Sequence, residues 1–243
     1  MTAREAHQAQ WQALKDKPLS NKLKYIFTYY WPGILGVICV IAFAVSWIGG
    51  ILTQKDTALA GYLINGTVNP SYSGNLRADF MAHQQLDSNQ YEFNLTSDVE
   101  YNPNGGTDAA LYVLESIVVQ AATGELDFIV TNLDTYPVFS AYYKDLKAVL
   151  SAQQLEKWQN SLVYVEKEAL DYLISDEFDE FEIPKYYLST EGLKNPIAVG
   201  VRLPSSSSLF DAYAFPPGDV IFGIVHNAKN IENTLAFLEY VMN

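Results

Sequence analysis

Twenty-one consecutive residues without a charge, Pro32 to Leu52 (PGILGVICVIAFAVSWIGGIL), constrain this chain more than any other feature. At a helical rise of about 1.5 Å per residue the run reaches roughly 30 Å, the thickness of a bilayer's hydrocarbon core. It is apolar on every side, whereas a helix packed on a soluble domain keeps one polar face. A transmembrane helix is therefore expected. Tyr25, Phe27, Tyr29, Tyr30 and Trp31 lie at one end of the run and Trp47 near the other, the places where aromatic rings meet lipid headgroups. Arg4, Lys15, Lys17, Lys22 and Lys24 precede it against only Glu5 and Asp16, which sets the N-terminus in the cytoplasm. The expected organisation is a cytoplasmic tail over 1–30, a transmembrane helix over 31–53 and an extracytoplasmic domain over 54–243.

Two processing alternatives are weaker. A cleaved signal peptide has an apolar stretch of about 7–15 residues; this one is longer, although Ala58-Leu59-Ala60 has the small-residue spacing of a cleavage site. A lipoprotein would use Cys39, but Ile38 stands before it where a small residue is wanted. In the tail, residues 3–16 read as a helix with Trp11 and Leu14 on a small apolar face. Lys17-Pro18 interrupts it, and Ser20 is placed to cap a second helix leading into the membrane.

The remaining 190 or so residues are enough for a buried core. Of the chain's 15 basic and 28 acidic residues, this part keeps 10 and 26, a net charge of −16. Such a surface repels phosphate backbones, so nucleic acid is excluded as a partner. The chain's one cysteine is Cys39, so the outer domain has no disulfide, thiol nucleophile or cysteine metal site. A disulfide-free exported domain suits a bacterial cell surface.

Thr57–Ile64 (TALAGYLI) reads as a strand ended by Asn65-Gly66, then a helix follows near Asn75–Leu86. Tyr91–Thr96 alternates like a strand. NPNGG over 102–106 is a turn, and Thr107 is placed to cap a long helix with Gly124 beyond its end. LDFIVTN is a short apolar run of the buried parallel type. Asp134 or Thr135 opens a helical stretch through Tyr143, and Lys144–Ser161 supplies further helical sequence. Ile197–Val201 and Asp219–Val225 read as strands around the PSSSS loop, and Asn230 is placed to cap a last helix. The order β-α-β-α-β predicts a mainly parallel α/β sandwich, with helices on both faces of a sheet.

Three segments resemble extracellular solute-binding proteins of the type II periplasmic-binding fold. They are TGELDFIVTN, YYKDLKAVLSAQQLEKW and GDVIFGIVHNAKNIENTLAFLEYVM, in that order. The resemblance implies one lobe of such a receptor, since about 75 residues between the DFIVTN strand and the last strand pair leave no room for a full second lobe. It implies a membrane-anchored recognition module, serving as an accessory subunit of a transporter or another membrane complex and taking a sugar or peptide. The alternative is a protein–protein scaffold subunit with no small-molecule ligand.

Catalysis is not expected. His83 and His226 are far apart in sequence, and no G-x-S-x-G, H-E-x-x-H or Walker sequence occurs. Asp127, an acid at a strand start, reads as structural. The acidic stretch Asp176, Glu177, Asp179, Glu180 and Glu182 lacks the glycine-centred spacing of a calcium loop and reads as a solvated face. No cofactor or metal is expected. A ligand site belongs at the C-terminal ends of parallel strands, which selects Asn65 and Gly66 after the first strand and Asn132, Asp134 and Tyr136 after the third. Tyr213 and Phe215, in the loop before the final strand, are expected to cover the same edge.

Overall fold

The computed structural model describes Gln12 and residues 18–101, 108–174 and 184–243. Apart from Gln12, which is helical, the expected helix over 3–16 lies outside the described residues, as do the 102–106 turn, the Thr107 cap and the acidic stretch 176–182. The chain divides into two compact units, Met1–Gln54 and Lys55–Asn243.

The first unit holds α1, Leu19–Thr53, one continuous helix. It starts at Leu19, so Ser20 sits inside its first turn instead of capping it. Pro18, which has no N–H to offer a helix ladder, stands immediately ahead. Within α1, Trp31–Gly50 is long and apolar enough to cross a membrane. Val40, Phe43, Val45 and Trp47 are all exposed along it.

In the second unit, β1 (Asp56–Ile64), β3 (Tyr91–Val99), β4 (Phe128–Asn132), β5 (Leu162–Glu166), β6 (Pro196–Arg202) and β8 (Val220–Ile224) form one sheet in the order β3-β1-β4-β8-β6-β5. The short β2 (Thr67–Val68) and β7 (Tyr213–Ala214) pair separately. β1 runs parallel to both β3 and β4, while β8, β6 and β5 join antiparallel. Four of the six strands therefore point one way, and the sheet is α/β with a parallel half and an antiparallel half. β5 was not among the sequence-predicted strands.

Alternation along the strands builds two cores. Leu59 and Leu63 of β1, Phe128 and Val130 of β4 and Phe222 of β8 face one side. There they meet Leu76 and Phe80 of α2 (Leu76–His83) and Phe237 and Val241 of α7 (Ile231–Met242). Five phenylalanines are concentrated there, with Phe128 stacked on Phe222 at 4.7 Å and Phe80 edge-on to Phe237 at 5.0 Å. Tyr62, Ile64, Ile129 and Ile221 face the other side, against Ile117 and Ala121 of α3 (Asp108–Thr123), a 3-10 helix at Tyr136–Tyr142, and Leu170 of α5 (Lys167–Ile174). Between the faces, α4 (Ala152–Trp158) and α6 (Leu209–Ala212) fill the connections on the first side.

Polar residues fix the ends of these elements. Gly124 follows α3 with φ +69°, and the Glu125 N–H closes back on the Gln120 carbonyl at 2.8 Å, the left-handed exit that glycine permits. Asp127 is buried and structural, as its position before β4 predicts. Its carboxylate accepts from the Ala60 N–H at 2.9 Å, the Asn230 N–H at 3.0 Å and the Asn230 side-chain amide at 3.1 Å. Asn230 holds the N-cap position of α7 without a side-chain capping bond, and its amide donates to Asp127.

Candidate recognition cleft

The cleft grows out of an irregularity where β1 and β3 end. Tyr62 pairs with Thr96 but Ile64 pairs with Val99, so β3 carries one extra residue near Ser97-Asp98. A bulge of this kind bends a strand away from its partner. Asp98 takes φ +61° there, and Asn65 takes φ +59° where β1 ends. Both are in the left-handed region that, among residues with a Cβ, Asn and Asp enter most readily, because their short side chains bond to nearby backbone.

Those bonds are present. The Asn65 N–H donates to the Val99 carbonyl at 2.7 Å, and the Asn65 side-chain carbonyl accepts from the Tyr101 N–H at 2.7 Å. Its amide donates to Thr135 Oγ1 at 3.2 Å and Asn132 Oδ1 at 3.5 Å, tying the ends of β1 and β4 together. The Asp98 N–H donates to the Gly66 carbonyl at 2.8 Å. Its carboxylate accepts from the Val68 N–H at 3.3 Å and the Ser97 hydroxyl at 2.9 Å.

The result is a cavity of about 490 Å³ lined by Asn65, Thr67, Asp98, Val99, Glu100, Tyr101 and Pro216. Pockets of roughly 300–1,000 Å³ are the size that holds small organic ligands. The floor is Val99 and Asn65, Tyr101 and Pro216 supply apolar surface, and the carboxylates of Asp98 and Glu100 are exposed at the rim. Tyr213 lies alongside. Burial raises its hydroxyl pKa above the ordinary value, with the Arg77 charge opposing that shift and Asp98 reinforcing it. Among the described residues the lining holds two carboxylates, the Thr67 and Tyr101 hydroxyls and the Asn65 amide, with no serine, histidine, cysteine or lysine. Among the described residues, no group of three or more His, Cys, Asp or Glu is placed to hold a metal ion. His83 ends α2, exposed, with its ring 5.3 Å from that of Tyr240, and His226 is exposed with Nδ1 3.2 Å from the Tyr142 carbonyl.

The residues selected from the sequence do not all gather at the cleft. Asn65 lines the cleft. Gly66, Phe215 and Tyr213 form its flank: the Phe215 ring packs over Gly66, where an added Cβ would sit 2.9 Å from the ring, and Val68 of β2 pairs with Tyr213 of β7. Asn132, buried, supports Asn65 from behind. Asp134 is exposed and outside the lining. Tyr136 is 0 % exposed in the core, donating its hydroxyl to the Val199 carbonyl at 2.8 Å and stacked on Tyr143 at 4.1 Å. Thr67, Asp98, Val99, Glu100, Tyr101 and Pro216 are the lining residues that the sequence reading did not select. The strand-end rule, applied to the first and third strands alone, finds Asp98–Tyr101 when applied to the second as well.

No family model matches the chain, and neither a curated protein nor a solved structure matches it. What the cleft holds must follow from its own chemistry.

Proposed function

We propose that this chain is a membrane-tethered recognition module. α1 crosses the membrane with the N-terminus in the cytoplasm, and the α/β unit outside binds a solute as an accessory subunit of a membrane complex such as a transporter. In this reading the unit is a reduced relative of the solute-binding proteins that its three segments resemble. The observation that carries the proposal is the 490 Å³ cleft at the C-terminal ends of the parallel strands β1 and β3, of the size that holds a small ligand and lined by both apolar and polar side chains.

The test is a binding screen on the full chain in phosphatidylcholine nanodiscs, against sugars, oligosaccharides, amino acids and short peptides. A ligand at 100 times its Kd stabilises the folded state by about 2.7 kcal/mol, which thermal unfolding resolves. Stabilisation that Tyr101→Ala removes supports the module. Silence across the panel from a folded protein overturns it.

A second reading, a scaffold subunit with no small-molecule ligand, has its own observation. On α3, Tyr112 is 71 % and Val119 58 % exposed, with Val118 beside them. With Glu115 between Tyr112 and Val119, they make an apolar surface carrying one charge, of the kind that protein partners cover. Silence in the screen together with loss of a co-purifying membrane partner in Val119→Glu would establish that reading.

A further inference from the structure

The donors and acceptors around the cleft are unequal, and the inequality specifies a ligand class. Both Asn65 amide hydrogens are used within the fold, on Thr135 and Asn132. The Thr67 hydroxyl points its hydrogen at the Ala214 carbonyl, 3.4 Å away. Asp98 retains lone pairs beyond the two bonds it accepts, and the Glu100 carboxylate has no hydrogen bond or ion pair among the described residues. The Tyr101 hydroxyl accepts as readily as it donates. The lining therefore presents acceptors and two negative charges, with no basic residue among the described residues; Arg77 acts on Tyr213 but is not in that lining. Beside those charges, Pro216 and the Tyr101 ring offer an apolar wall.

We infer that the cleft takes a small organic cation, a protonated amine or guanidinium on an aliphatic stem, with its charged head between Asp98 and Glu100 and its stem against Tyr101 and Pro216. This rests on the recognition reading above and narrows it. Ammonium and guanidinium groups are donor-only, so they complete acceptors that an anion would leave repelled. A neutral sugar would leave both carboxylates without a counter-charge.

The experiment is calorimetric titration of the full chain in uncharged phosphatidylcholine nanodiscs with lysine, arginine, putrescine and spermidine, beside glutamate, maltose and calcium chloride. Binding by the amine or guanidinium probes is expected, weakening as salt rises because the Debye length contracts from about 10 Å at 0.1 M to about 3 Å at 1 M. Glu100→Gln is expected to weaken it about tenfold or more. Asp98→Asn should do the same while keeping the fold, since Asn adopts the left-handed conformation and its carbonyl still accepts from Val68. Lysine and arginine against putrescine and spermidine separate amino-acid from polyamine sources. Binding of maltose or glutamate, lost in Tyr101→Ala, would overturn the cation class and leave the recognition module standing. Calcium binding alone would overturn the organic ligand. Silence from all seven probes overturns the cation class, and the wider panel then decides the module separately.

Discussion

The Asp127 carboxylate accepts three hydrogen bonds from a buried position. It joins β1 through Ala60, in a buried bond, and the start of α7 through the part-buried Asn230. Asp127→Ala strands these donors, and hydrogen bonds to charged groups are each worth about 1.5–3 kcal/mol. We expect a loss of about 3 kcal/mol or more in urea unfolding, with the midpoint lowered. The tyrosine pair gives a second test. Tyr136 and Tyr143 stack against the sheet where Gly223 leaves space, and an alanine Cβ at 223 would overlap the Tyr136 hydroxyl and the Tyr143 ring. Overpacking of this kind costs about 1–3 kcal/mol, so Gly223→Ala should unfold at a lower temperature. The same pair gives a pH dependence. Burial raises both hydroxyl pKa values well above the ordinary value. Their contribution is complete below about pH 10, where an unfolded tyrosine begins to ionise, and is lost as pH climbs through the folded values. Tyrosinate absorbance and unfolding should rise together above that pH, and Tyr136→Phe with Tyr143→Phe should flatten the alkaline limb. From sequence alone Tyr136 looked like a ligand residue because it follows a parallel strand. Whether a ring after a strand turns outward or back under the sheet depends on its neighbours, here glycines 200 and 223, which are far away along the chain.

Among the elements, α4 has the most explicit local code. Ser151 accepts from the Gln154 N–H at 3.2 Å, and the Gln154 side chain accepts from the Ser151 N–H at 2.9 Å, a reciprocal capping box. Ser151→Ala should cost about 1 kcal/mol in denaturant unfolding, with the cleft's binding unchanged. Elements with such local codes were legible: β1 stops at Asn65-Gly66, α3 at Gly124, and β4 and β8 are short apolar runs bounded by polar residues. β5 was not. Its LVYVE is five residues long, follows directly on an amphipathic helix, and is too short for periodicity to separate strand from helix. The antiparallel half of the sheet was likewise hidden, because strand order is set by contacts between distant segments. The cleft was half legible. Asn65 could be found from the strand-end rule, whereas the bulge beside Asp98, ahead of Glu100 and Tyr101, appears only once β3 is in register with β1.

For the whole molecule the first question is which side of the membrane each unit occupies. In a Cys39→Ser background, Ser189→Cys places a single thiol at an exposed position of the α/β unit. A membrane-impermeant maleimide added to intact cells should label it, and labelling only after lysis would reverse the proposed topology. That topology also bears on how the domain is made. In the proposed topology β1 would leave the membrane first, yet it lies inside the sheet, flanked by β3 and β4, and the Asp127 clasp closes only when Asn230 arrives. A chain threaded outward from its N-terminus would hold a central strand with open edges until nearly all of the domain had been delivered. Folding is then a late event of export. With that topology, the open edges of β1 would stay available for pairing with another chain until β3 and β4 had followed.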